Sequence, residues 1–368
     1  MQYPKNRSRL KGHFCNMLFV SGIVVAVCFM LIRQGSQKKL SDSNERIVVV
    51  SNSEETGKKE DVDIKWIDFT VSYDALCCAY EWDVKTYGTN HELDWIELLA
   101  YTAAKTGGKF DSSALDIMGK TAEVLACGQK NMADLTSGLK YYTYYKEAYT
   151  AVLGGMVGEY NTEIIEDTGG RCFQPKYGLK AFFPLARGFG YSHYDDFGAG
   201  RSYGYKRKHL GHDMMGHIGT PIIAIESGVV EALGWNQYGG WRIGIRSFDR
   251  KRYYYYAHLR QNYPYAEGLE EGSIVTAGDV IGYMGHTGYS AKENVNNIEV
   301  THLHWGLEII FDEERRASGN EIWIDVYALT QFLAKHTQPV QKVGETREWI
   351  RSSNIMDPEV ERARMEMR

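Results

Sequence analysis

THLHWGLEI, residues 301–309, reads as a β-strand whose two faces have different chemistry. Side chains two apart in a strand point to the same face, so His302 and His304 project together while Leu303 points into a core. Two imidazoles on one face of an otherwise apolar strand are costly to bury without a partner, and a metal ion satisfies them directly. Upstream, KHLGHD at residues 208–213 offers His209 as another nitrogen and Asp213 as a hard oxygen. A His/His/Asp set with one open position is a catalytic zinc arrangement, because structural zinc sites more often close with four protein ligands. The histidines are concentrated here: eight of the 11 lie between His193 and His304. All six cysteines lie at or before Cys172, which argues against a zinc ribbon.

Around this strand the pattern is period-2. PIIAIESGVVEAL, WRIGIRSF, YYYYAHL and GDVIGYMG are short apolar runs separated by glycine turns, which predicts an antiparallel β domain over residues 177–336. An amphipathic helix, Ile324 to Lys335, closes that domain. Residues 61–170 carry helical spacing instead, in Asp94–Lys105, Ser113–Cys127 and Lys140–Tyr160, with glycines at the breaks. The class is therefore α+β, a small helical bundle followed by an antiparallel β body. The tyrosines Tyr141, Tyr142, Tyr144, Tyr145 and Tyr149 are read as packing residues rather than a sugar platform. Residues 337–368 are polar with balanced charge and predict a loose tail.

Phe14 to Ile32 is an almost continuous apolar run, long enough at about 28 Å to cross a bilayer core. Lys5, Arg7, Arg9 and Lys11 precede it, which favours an N-terminus held in the cytoplasm. Leu31-Ile32-Arg33-Gln34 is a poor cleavage site. The expectation is a cytoplasmic tail at 1–13, a single-pass signal anchor in the lipid bilayer at 14–33, and a polar stalk at 34–60. The later domains would then lie outside the cell membrane. That location would permit disulfides, yet Cys77, Cys78, Cys127 and Cys172 read equally well as free thiols or as including a Cys127 bridge. With a net charge of −5, 43% hydrophobic and 24% charged residues, the chain is neither disordered as a whole nor a nucleic-acid binder by charge. Gly282 to Gly288 contains no nucleotide-binding pattern.

The joint order of FGAGRSYGYKRKHLGHD, GTPIIAIESGVVEALG, YYAHL, GSIVTAGDVIGYMGHTGYS and THLHWGLEI resembles the lysostaphin/LytM-type zinc metalloendopeptidases of bacterial cell walls, over residues 182–310. The resemblance implies a duplicated hybrid motif barrel-sandwich in the β domain and one Zn2+ held by His209, Asp213 and His304. It implies His302 and His258 as the catalytic histidines, with either one as the base, and peptidoglycan peptide as the substrate. The chain departs from the usual pattern at His212 and in the stretch Ala291 to Val300. Both changes bear on the shape of the substrate groove rather than on the metal set. His212, His217 and His286 are read as surface groups or groups supporting the ligands, and His193 as bordering the groove. A second reading is a zinc-loaded, non-catalytic scaffold in an envelope complex with a protein partner, as in division or sporulation.

Overall fold

A computed structural model describes residues 64–367 except 66, 168 and 204. The anchor and stalk expected at 14–33 and 34–60 lie outside the described residues. Among the described residues no helix is long and apolar enough to cross a membrane.

The helical part follows the 3.6-residue period. Helices α1 (Tyr73–Thr86), α2 (Trp95–Thr106), α3 (Ser112–Ala126), α4 (Met132–Thr136) and α5 (Tyr142–Leu153) run in succession. Asp94 caps α2, accepting from the backbone N–H groups of Ile96 at 2.7 Å and Glu97 at 3.0 Å. Gly107, in the left-handed region at φ 66°, ends it. The helix expected over Lys140–Tyr160 stops early, at Leu153. Gly155, at φ 82°, turns the chain there, and Tyr160 belongs to the next strand.

That strand, β1 (Val157–Ile165), pairs antiparallel with β2 (Arg171–Leu179) from Val157↔Leu179 to Ile165↔Arg171. The strands therefore begin inside the span that reads as helical. The main antiparallel sheet is built from β3 (Ser192–His193), β6 (His212–Met215), β8 (Gly228–Asn236), β9 (Gly240–Ser247), β10 (Arg252–Ala257), β11 (Ile274–Val275) and β13 (His302–Ile309). Their order is β11-β8-β9-β10-β13-β6-β3, with β14 (Ile322–Trp323) beside β13. Hairpin β4 (Gly200–Tyr203) and β5 (Tyr205–Lys208) leads into the KHLGHD segment. A separate pair joins β7 (Pro221–Ile223) to β12 (Val280–Tyr283). Two short helices follow, α6 (Glu313–Ala317) and α7 (Tyr327–Leu333), the second within the expected Ile324–Lys335 segment.

The described residues pack as one unit. Leu76, Trp95, Leu98, Leu99 and Tyr149 of the helices share a continuous core with Tyr254, Tyr256, Leu303, Trp305 and Leu307 of the sheet and with Phe332 of α7. Phe332 is the junction, 5.5 Å edge-on to Tyr80 and 5.8 Å stacked on Trp95. Tyr149 is buried in this core, in line with a packing role.

The same junction holds a buried charge pair. Arg252 is 2% exposed and meets Glu226 through two bonds, 2.8 Å from Nε and 3.0 Å from Nη2. Its Nη1 donates to the Ala151 carbonyl at 3.0 Å, one of the open carbonyls at the end of α5. Tyr254 donates to Glu226 at 2.6 Å. Gly155 passes so close that a Cβ there would lie 2.4 Å from Glu226 Oε1. Burial opposes the charge on Arg252, but Glu226 outweighs it and raises the guanidinium pKa.

Where the sequence predicts a loose tail, the structure has order. Strands β15 (Val340–Lys342) and β16 (Trp349–Arg351) form a hairpin, and β17 (Ile355–Met356) adds to the edge of β1. Helix α8 (Pro358–Glu366) follows. Asp357, 2% exposed, accepts from Lys180 Nζ at 3.0 Å and from Ser227 Oγ at 2.8 Å. Balanced charge looks solvated in sequence, but this carboxylate has partners far away along the chain. Cys77, Cys78, Cys127 and Cys172 are free thiols in the structure.

Replacing Arg252 by Met is expected to cost about 3–5 kcal/mol in urea unfolding, because Glu226 would be left as a buried charge with no counter-ion. Adding Glu226→Gln to the same chain is expected to recover most of that loss. An undiminished deficit in the double variant would assign the effect to Arg252 packing instead.

Candidate metal centre

Register builds the site. Strands β6 and β13 pair so that Asp213 lies opposite His304 and Met215 opposite His302. Opposed residues share a face, and so do residues two apart, so Asp213, His302 and His304 all face one side. Leu303, on the other side, is fully buried. His209 is delivered from the end of the β4–β5 hairpin. Its backbone N–H donates to Ala199 at 2.8 Å and its carbonyl accepts from Gly198 at 2.7 Å.

Three atoms converge here. His209 Nε2 is 2.9 Å from Asp213 Oδ1 and 3.0 Å from His304 Nδ1, and His304 Nδ1 is 2.8 Å from Asp213 Oδ1. His209, Asp213 and His304 form the group among the described residues able to hold a metal ion. Gly211 makes room for it, since a Cβ there would lie 2.5 Å from His304 Cε1.

The proton positions follow from the neighbours. Asp196 Oδ1 lies 3.0 Å from His209 Nδ1, and an ionised carboxylate only accepts, so Nδ1 carries the proton. The Nε2 lone pair then faces another acceptor, Asp213 Oδ1. Acceptors this close repel one another unless a cation lies between them. Ligands 2.0–2.1 Å from a tetrahedral zinc lie about 3.3 Å apart, so an opening of a few tenths of an ångström suits the set. Two imidazole nitrogens and one carboxylate oxygen are donors that zinc accepts.

Electrostatics agree with this arrangement. Burial would raise the Asp213 carboxyl, but His209, His304 and the nearby His302 together hold it well below the usual carboxylate range. Burial lowers His304, against the opposing pull of Asp213. Arg201 adds a further cation. Its Nη2 donates to Asp213 Oδ2 at 3.1 Å and also to Asp196. Asp196 and Arg201 thus orient the ligands from behind, a role that spacing alone does not reveal. The sequence clue is their place in DDFGAGRS, a few residues upstream of KHLGHD.

His302 and His258 lie beside the triad with their rings 4.7 Å apart. The Val300 carbonyl, 2.7 Å from His302 Nδ1, and the Thr287 carbonyl, 3.0 Å from His258 Nδ1, each require a proton on Nδ1. Both Nε2 atoms are therefore left as acceptors. His302 Nε2 is 3.7 Å from Asp213 Oδ1. His258 follows the last residue of β10 and sits at φ 63°, a left-handed conformation that turns its ring toward the site. Burial lowers its pKa well below the usual imidazole value, with His302 adding to the effect.

The other histidines separate. His212 points to the opposite face of β6 and is buried, with its Nε2 2.8 Å from His193 Nδ1. That burial departs from the surface reading. It follows from the pleat, which turns His212 inward when Asp213 turns out. His193 is in that pair rather than among the converging ligands. His217 is exposed, and His286 is held 2.7 Å from the Ile298 carbonyl.

Residues 207–328 match the model of Peptidase family M23. Over 125 residues the chain is 41% identical to the L-Ala–D-Glu endopeptidase of Bacillus subtilis (strain 168), covering 34% of this chain and 37% of that protein. Over 89 residues it is 37% identical to lysostaphin of Staphylococcus simulans, covering 24% of this chain and 17% of that protein. The chain thus spans between about a sixth and little more than a third of the curated relatives it matches. The solved catalytic domain of the antimicrobial peptidase lysostaphin from Staphylococcus simulans is 29% identical at a TM-score of 0.30, covering 38% of this chain and 92% of that domain. Residues 207–328 are a Peptidase family M23 domain, homologous over that segment to the L-Ala–D-Glu endopeptidase and to lysostaphin.

Proposed function

We propose that this protein is a zinc metalloendopeptidase that hydrolyses peptide bonds in peptidoglycan, anchored in the cell membrane through residues 14–33 with its later domains outside. The convergence of His209, Asp213 and His304 on one point beside two acceptor histidines supports this reading most strongly. Homology of the 207–328 segment to endopeptidases supports the reaction class. A bond between L-Ala and D-Glu is the specific target that the relative's name suggests.

His209, Asp213 and His304 would hold the ion, and Asp196 would fix His209 in the tautomer that offers Nε2. The ion, when bound, supplies Lewis-acid polarisation of a carbonyl and a lowered pKa for water. His302 accepts a proton at Nε2 from the attacking water and returns it to the leaving amine. Its Nδ1–H stays on the Val300 carbonyl, which fixes the ring and favours the protonated form as the proton arrives. His258, kept neutral by burial, offers Nε2 as a second acceptor that orients the water or the substrate amide.

Purified peptidoglycan incubated with the full chain should yield new amine termini. A chelator should abolish the yield and added zinc should restore it. His302→Ala should slow the release by at least ~100-fold, the usual scale of a lost general base. No release from either protein would leave the zinc-loaded scaffold as the surviving reading. Asp196→Ala should weaken zinc binding about 10–100-fold in competition with a chromophoric chelator. An unchanged affinity would remove Asp196 from the support of the site.

A further inference from the structure

Arg207 is a cation at the edge of the site that the chemistry above does not use. It lies on β5, two residues before His209, and is half-buried. Its guanidinium lies 5.3 Å from the Tyr289 ring centre and 5.7 Å from that of Tyr238, and Nη2 donates to the Tyr289 hydroxyl. Tyr289 itself lies 6.1 Å, ring to ring, from His258. One aromatic ring, that of Tyr289, therefore stands between this cation and His258.

No carboxylate among the described residues pairs with Arg207. Its Nε is buried with no hydrogen-bond partner. The acids of the site are engaged elsewhere, Asp213 with His209, His304 and Arg201, and Asp196 with His209 and Arg201. A guanidinium held against two aromatic faces has lost much of its rotational freedom, so its planar fork is preset for a two-oxygen anion. A half-buried cation with no carboxylate partner gains most from a ligand that brings its own negative charge.

We propose that Arg207, braced by Tyr238 and Tyr289, binds a free carboxylate on the residue flanking the scissile bond and so selects acidic peptides. The inference rests on the endopeptidase reading and specifies its substrate class. The chemistry suits a glutamyl residue. With its amine acylated by alanine and one carboxyl joined to the next residue, the other carboxyl stays free. A polyglycine strand offers no such group.

Two peptides test this, each containing an acylated L-Ala–D-Glu unit extended through one glutamyl carboxyl. In one the remaining carboxyl is free, and in the other it is a carboxamide. Binding is measured by calorimetry with the full zinc-loaded chain carrying His302→Ala, so that neither peptide is consumed. kcat/KM is measured with the chain carrying His302. The acid peptide is expected to bind about 10–100-fold more tightly than the amide, the range for a charge-assisted pair. Arg207→Gln is expected to bring the two affinities within about twofold by weakening only the acid peptide. Arg207→Lys, which keeps the charge but not the fork, should recover part of the preference. In turnover, the loss in Arg207→Gln should fall mainly in KM. Equal affinity for both peptides, no binding of the acid peptide, or an equal loss on both peptides in Arg207→Gln would overturn the assignment. Cleavage of neither peptide, with the binding preference intact, would count against the endopeptidase reading alone.

Discussion

The pairing of β6 with β13 is the constraint on which the site depends. Asp213 stands opposite His304, and a shift of one residue would turn one of them into the core. Leu303 and Met214 hold the register, because both are fully buried on the reverse face. Apolar packing on one side of two strands thus positions polar ligands on the other. The same pleat makes His212 a buried partner of His193 rather than a ligand.

Around this pair, each histidine is set by one fixed acceptor. Asp196 holds His209, the Val300 carbonyl holds His302, and the Thr287 carbonyl holds His258. In each case Nδ1 is the donor and Nε2 is left open, so with Asp213 and His304 five side chains present lone pairs or negative charge to a small space. Such a cluster repels itself without a cation, which is the physical content of the metal reading. Arg201 relieves part of the charge from behind.

The helical part joins the β domain rather than hanging beside it. Phe332 packs between Tyr80 and Trp95, and Arg252 ties the end of α5 to Glu226 in the sheet. Desolvation of the two buried charges offsets much of their attraction. Lys180, Asp357 and Ser227 tie down the C-terminal segment in the same way. Both junctions use charges that look like ordinary surface residues in the linear chain.

The ligand spacings were legible because they are local. His302 and His304 share a face by the strand period, and KHLGHD holds His209 and Asp213 close together. The α+β alternation was legible for the same reason, since periods of 3.6 and 2 are written residue by residue. Helix α5 ends at Leu153 although Tyr160 continues the aromatic pattern, because the chain turns at Gly154 and Gly155. The order of the C-terminal segment is not legible locally, because Asp357 finds Lys180 at a separation of 177 residues. Local sequence determined which groups are available and which way each faces along its own strand or helix. Only the tertiary structure decided which groups meet: that Asp196 and Arg201 support the ligands, that His212 turns inward, and that Arg207 stands unpaired by any described carboxylate beside the site. Those contacts join separate loops and strands, and chain packing, not periodicity, brings them together.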